Sequence, residues 1–212
     1  MSAVRISPVI EIFEDVEQGS DEWRKLRAGL PTASEFHDVI AKVGPRGGIP
    51  KGRQKLMWRL AGEILTGEPE DTYQNADMQR GKDREAEARA WYELDQGVET
   101  KQIAFIRNDR CGASPDSMVG DDGLLEIKDA KPSVQIERLL SGDLPSEHKA
   151  QCQGQLMVSG RSWVDFLSHC RGLPPHLIRV ERDEKYISEL REGVERFVAE
   201  LDTLVKWLRA MA

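Results

Sequence analysis

Beyond Gly97 the apolar residues of this chain stop recurring every three to four positions and begin to alternate, and that change of period constrains the fold most. "VETKQIAFIRND", "CGASPDSMVG" and "GLLEIKDA" alternate or run apolar between turn residues, which predicts three strands joined by tight turns. Upstream, helices are expected over Asp21–Gly29, over "TASEFHDVIAK", from about Gly52 to Leu65 and from about Asn75 to Leu94. In the second of these Thr32 caps the helix and Glu35 reaches back to its start, forming a capping box. Downstream, "SVQIERLLSG" and "SEHKAQCQGQLMVSG" read as helices, and "SWVDFLSHC" and "HLIRVERD" as strands split by "RGLPP". Asp183 to Met211 closes the chain as a long amphipathic helix. This order implies an α/β fold with a central mixed β-sheet flanked by helices, expected as a single domain over residues 1–212.

The composition narrows the partners. No apolar run approaches the roughly 20 residues a membrane helix needs, so no membrane partner is expected. The start of the chain lacks the basic-then-apolar order of a secretory leader. Three widely spaced cysteines and four scattered histidines argue against a disulfide framework or a zinc site and fit a reducing cytoplasm. A net charge of −7 argues against nucleic acid, but its distribution does not. Between Val39 and Gly62 lie Lys42, Arg46, Lys51, Arg53, Lys55 and Arg59, with no Asp or Glu. A Gly- and Pro-rich basic loop isolated in an acidic chain is either a solvated loop or the place where an anionic polymer is met.

"SPDSMVGDDGLLEIK" carries the chemistry. Residues i and i+2 of a strand share a face, so Glu126 and Lys128 point one way and Ile127 the other. The "GDDG" turn can fold the preceding strand back, bringing Asp116 across from Glu126. Two converging carboxylates repel unless a cation sits between them, and hard oxygen donors favour Mg²⁺ or Mn²⁺. The Ile127 carbonyl is an extra ligand, and the Lys128 ammonium is suited to orient or deprotonate an attacking water. The group fits metal-assisted phosphodiester hydrolysis; a solvent-facing Glu–Lys hairpin is the bland alternative. On the helix from Asn75, Glu85 lies on a stripe with Met78, Gly81, Ala88 and Tyr92, as a third carboxylate for the site or as its wet margin. In "AQCQGQLMV", Gln153 falls with Ala150, Leu156 and Met157, so it either points inward at a phosphate or a metal-bound water or is one of three surface glutamines.

With these residues in view, the chain resembles the lambda-phage exonuclease family of PD-(D/E)xK nucleases. "VEQGSDEWRKLRAGLPTASEFHDVIAK", "GKDREAEAR", "SPDSMVGDDGLLEIK", "AQCQGQLMV" and "IRVERDEKY" occur in that family's order. The resemblance implies a restriction-endonuclease-like core and a Mg²⁺-dependent 5′→3′ exonuclease. It implies Asp116, Glu126 and Ile127 as metal ligands, Lys128, Glu85 and Gln153 as further catalytic groups, and Arg27, Ser34 and Ser114 as holders of a 5′-phosphate. Met78 matches an apolar wedge at the duplex end. The basic segment with Lys42, Arg46, Lys51 and Arg53 matches one that enters the DNA groove, although its length differs here. "DAKP", at Asp129–Pro132, also departs from the family's usual small residue before Pro. Implied partners are double-stranded DNA ends with a 5′-phosphate, two more copies in a homotrimeric ring and a single-strand annealing protein, in the cytoplasm of a phage-bearing bacterium. A structure- or site-selective endonuclease and a non-catalytic DNA-end-binding protein remain open at this point; the intact trio argues against the second.

Overall fold

The computed structural model describes residues 9–42, 47–70 and 76–211, and of residues 76–83 the backbone only. Its centre is a five-stranded mixed sheet in the order β2-β5-β6-β7-β8, built from β2 (Thr100–Lys101), β5 (Ser117–Val119), β6 (Gly123–Asp129), β7 (Trp163–His169) and β8 (His176–Glu181). Only β6 and β7 run parallel, and the chain between them crosses over through α5 (Pro132–Ser141) and α6 (Ser146–Ser159). A second, antiparallel sheet has the order β1-β3-β4, from β1 (Ile10–Phe13), β3 (Phe105–Asn108) and β4 (Cys111–Ala113).

β6 is apolar on both faces because both are covered. Leu125 and Ile127 pack with Ala88 and Tyr92 of α4 (Ala76–Gln96), while Leu124 joins the larger core with Leu156 of α6 and Phe36. The closing helix α7 (Glu184–Arg209) lies against α3 (Lys51–Thr66) and α6, burying Leu190, Val194, Phe197 and Leu201.

The structure redraws the predicted meander. The first two strand segments each divide, with β2 and β5 in the large sheet and β3 and β4 in the small one. Between β4 and β5 lies Pro115, which has no N–H to give a ladder, so pairing breaks there and the chain changes sheet. The capping box forms, with the Glu35 carboxylate accepting from the Thr32 N–H at 3.2 Å and its hydroxyl at 2.9 Å. The turn it starts is a 3₁₀ turn (Ala33–Glu35) followed by the short α2 (Phe36–Val39), shorter than the helical pattern predicts. β1, partly exposed and only four residues long, has no counterpart among the predicted strands.

Candidate active site

The β5–β6 hairpin pairs Ser117 with Leu125, Met118 with Leu124 and Val119 with Gly123. One further step of this register sets Asp116 opposite Glu126, and the Asp116 N–H donates to the Leu125 carbonyl at 3.0 Å. Asp116 Oδ2 accepts from the Ile127 N–H at 2.5 Å. Gln18 holds the approach to this turn, its amide donating to the carbonyls of Ile103 at 2.8 Å and Pro115 at 3.1 Å. Burial, then the charges of Glu126 and Glu85, push the Asp116 carboxyl well above the usual carboxylate range.

Glu126 is buried on the α6 side of the strand. Its Oε1 lies 2.6 Å from Lys128 Nζ and accepts from Gln151 Nε2 at 2.6 Å, and its Oε2 accepts from Gln155 Nε2. For Lys128, burial favours the neutral amine, but the charge and hydrogen bond of Glu126, with Asp116 beyond, outweigh it and hold the ammonium above its ordinary value. Glu85 reaches the site from α4, paired with Arg89. Arg89 also donates to Ser117 Oγ at 3.0 Å and lies 3.5 Å from the Asp116 carbonyl oxygen. Asp116, Glu85, Arg89 and Gln18 line a cavity of about 440 Å³.

The glutamine expectation needs correcting. Gln153 does not approach Glu126; its Nε2 donates to the Glu181 carbonyl at 2.8 Å and its Oε1 accepts from the Asp183 N–H at 2.9 Å, tying α6 to the β8–α7 junction. Positions four apart on a helix share a face, and positions two apart lie on nearly opposite sides. Gln151 and Gln155 therefore clamp the carboxylate while Gln153 turns away. That i, i+4 spacing was the available signal. Arg89 is a second residue absent from the predicted set, and only its spacing of four from Glu85 pointed to it.

A further cluster is tied to Ser114, two residues before Asp116. Arg27, near the end of α1 (Asp21–Arg27), donates to Thr32 Oγ1 at 3.1 Å, which lies 3.2 Å from Ser34 Oγ. The Arg27 guanidinium stacks 4.0 Å over the Trp23 ring, and the Trp23 indole N–H reaches Ser114 Oγ at 3.2 Å and the Ala104 carbonyl at 2.9 Å. Arg27, Ser34 and Ser114 are thus gathered through Thr32 and Trp23, two residues along the chain from Asp116. Burial lowers the Arg27 pKa against the pull of Glu35.

The predicted basic residues divide. Lys42 and Lys51 are exposed. Arg53 instead staples α3 to α7, 2.9 Å from Glu200 and 5.1 Å over the Phe197 ring, so the expectation that it faces a polyanion is corrected by the packing of α7. Arg46 lies outside the described residues, as does the side chain of Met78, whose backbone belongs to α4.

Among the described residues no three acidic, histidine or cysteine side chains stand close enough to ligate one ion together, and both Glu126 oxygens are engaged by Lys128 and the two glutamines. The donor chemistry nevertheless fits a hard divalent cation: Asp116 carries the repulsion of two neighbouring carboxylates, which such an ion relieves. No described helix is long and apolar enough to cross a membrane.

Comparison with known proteins identifies the family and the fold. A family described as the YqaJ-like viral recombinase domain matches residues 22–162. An alkaline exonuclease (LHK-Exo) from Laribacter hongkongensis is 36% identical with a TM-score of 0.82, over 91% of this chain and 97% of that one. The same exonuclease in complex with dAMP gives a TM-score of 0.81 at 36% identity and the same coverage. A phage-related exonuclease from Haemophilus somnus 129PT shares the fold alone, with a TM-score of 0.66 and 14% identity over 87% of this chain and 99% of that one. No match is found among curated proteins. The mixed sheet between helices is the restriction-endonuclease-like arrangement. From the span of the matched domain and the shared fold at 36% identity, the chain belongs to the lambda-exonuclease-like YqaJ viral recombinase family.

Proposed function

We propose that this chain is a Mg²⁺-dependent exonuclease that degrades one strand of linear double-stranded DNA in the 5′→3′ direction from a 5′-phosphorylated end, releasing mononucleotides and leaving a 3′ single strand. What supports this reading is the convergence of Asp116, Glu126 and Lys128 on one hairpin, with Arg27 linked through Trp23 to Ser114, two residues before Asp116. Arg27 and Ser34, with Ser114, hold the terminal phosphate; a half-buried guanidinium whose hydrogen bond goes to a neutral hydroxyl is suited to an anion. Asp116, Glu126 and the Ile127 carbonyl would hold Mg²⁺ or Mn²⁺, which when bound would supply Lewis acidity to the scissile phosphate. Lys128, 2.6 Å from Glu126, is placed to orient the attacking water or to take its proton. Glu85 faces the same phosphate from α4, its charge balanced by Arg89. Water gives up a proton as its oxygen adds at phosphorus, the P–O3′ bond breaks and the departing O3′ takes up a proton, and the released nucleotide keeps its own 5′-phosphate. The new strand end again carries a 5′-phosphate, so each cut recreates the group that Arg27 recognises. The dAMP bound by LHK-Exo is a product of this kind. The family resemblance adds a homotrimeric ring, an annealing-protein partner and a bacterial cytoplasmic setting to the proposal.

Digestion of linear duplexes with 5′-phosphate or 5′-hydroxyl ends, with Mg²⁺ or EDTA, tests it. Mononucleotide release that needs both the phosphate and the metal is expected, with Arg27→Ala removing the preference for phosphate; cutting of covalently closed circles would make the protein an endonuclease. Gln155→Leu is expected to lower the rate by roughly 10–100-fold, as loss of a ligand-orienting contact does. Gln153→Leu should act on melting temperature instead, and equal kinetic losses in the two variants would remove the clamp from the mechanism.

A further inference from the structure

The exposed face of α3 carries Lys51, Lys55 and Trp58 at i, i+4 and i+7, while Leu56, Met57 and Leu60 bury the opposite face. Trp58 is 59% exposed, as is Trp207 at 58%, but Trp58 alone of the two stands beside lysines of the acid-free stretch. It stands between two surface hollows, one of about 510 Å³ shared with Lys55 and Arg59, the other of about 200 Å³ shared with Ile49 and Gln54. Neither lysine is ion-paired with a described residue, whereas Arg53 and Arg59 are committed to Glu200 and to Glu35 and Glu63. Of the carboxylates lining the larger hollow, Glu35 is neutralised by Arg59, and Asp38 lies 3.4 Å from His37 on the α2 side. Glu70 is exposed at its far margin. The strip therefore offers one flat aromatic surface and two ammonium groups with no ion-pair partner among the described residues, inside the stretch from Val39 to Gly62 that holds no acid.

Its position is tied to the phosphate cluster. Arg59, next to Trp58, binds Glu35, Glu35 accepts from Thr32, and Thr32 meets Arg27 and Ser34. We infer that the Lys51–Lys55–Trp58 face is a docking strip for single-stranded DNA, with Trp58 stacking on an unpaired base and the lysines meeting phosphates. The combination fits this occupant: an exposed ring offers a face for base stacking and two lysines beside it meet backbone phosphates, the two features by which single strands are held. The nuclease reading supplies the source of the single strand, namely the one left after its complement is digested. Its binding to the strip can be measured without any cutting.

The test is fluorescence anisotropy of a labelled oligothymidylate lacking a 5′-phosphate, titrated with the full-length protein in EDTA. Trp58→Ala should weaken binding roughly tenfold and Trp58→Phe should keep most of the affinity. Lys51→Gln/Lys55→Gln should flatten the log–log salt dependence by about 1.4, two phosphate contacts' worth. Unchanged affinity in Trp58→Ala would overturn the inference, as would unchanged affinity together with a lower mass in light scattering, which would make the strip a contact between copies. Strip binding in a protein that cuts nothing would sink the nuclease reading and leave this one standing.

Discussion

Asp116→Asn is expected to lower strand hydrolysis by about 10³-fold or more and, in the same protein, to raise the melting temperature in EDTA. The first effect follows from removing a metal-holding carboxylate from a unit whose members act together. The second follows from electrostatics. Burial, Glu126 and Glu85 raise the folded-state pKa of Asp116 above that of the unfolded chain. A group raised in this way favours the folded state below the unfolded pKa, and that favour is lost as pH rises through the folded pKa. Above the ordinary carboxylate range Asp116 is therefore a net burden on the metal-free fold, one that grows until pH passes its raised folded-state pKa and that asparagine removes. The gain should vanish as pH falls toward the ordinary carboxylate range, and Mg²⁺ should stabilise the parent more than the variant. Parallel melting curves across pH, with and without Mg²⁺, read all three effects. An asparagine variant that melts lower than the parent in EDTA at alkaline pH would remove the repulsion from the site.

Phe36→Ala is expected to cost about 3–5 kcal/mol, the usual result of emptying a fully buried aromatic position. For a chain of this size that lowers the melting temperature by roughly 6–20 °C. Phe36 is also where two halves of the site meet. Gly154 lies so close to its ring that an added Cβ would come within 2.5 Å of it. Gly154 stands between Gln153 and Gln155, and Phe36 directly follows the turn of Thr32 and Ser34. Loss of the ring should therefore loosen the Glu126 clamp along with the core. Calorimetry measures the stability, and the Mg²⁺ concentration giving half-maximal rate, taken well below the new melting point, measures the clamp. A stability loss with no change in that concentration would show that the two halves are not coupled through Phe36.

The parts of the fold that were legible from sequence are those where local pattern and burial agree. "GLLEIKDA" reads as a central strand because both its faces are covered, and "GDDG" reads as the turn that sets Asp116 against Glu126. Alternation identifies a strand but not the sheet that receives it, so the division of the first two segments between sheets was hidden. The partners of buried polar groups were hidden too. Arg53 looks like any other cation of a basic run until α7 brings Glu200 beside it. The three glutamines of α6 differ only in azimuth; an apolar-neighbour argument chose Gln153, which is indeed buried, but against the wrong partner.

The single parallel pairing in the large sheet also fixes an order of assembly. β5 and β6 are joined by a tight turn and can zip early, carrying Asp116 and Glu126 together. β7 reaches β6 only after the whole crossover of α5 and α6 has been laid down, and the same crossover delivers Gln151 and Gln155. Until that long loop closes, Glu126 has no amide donors and remains hydrated. A chain emerging N-terminus first therefore acquires its acids before it can orient them, and competence to cut arrives as a late event of folding.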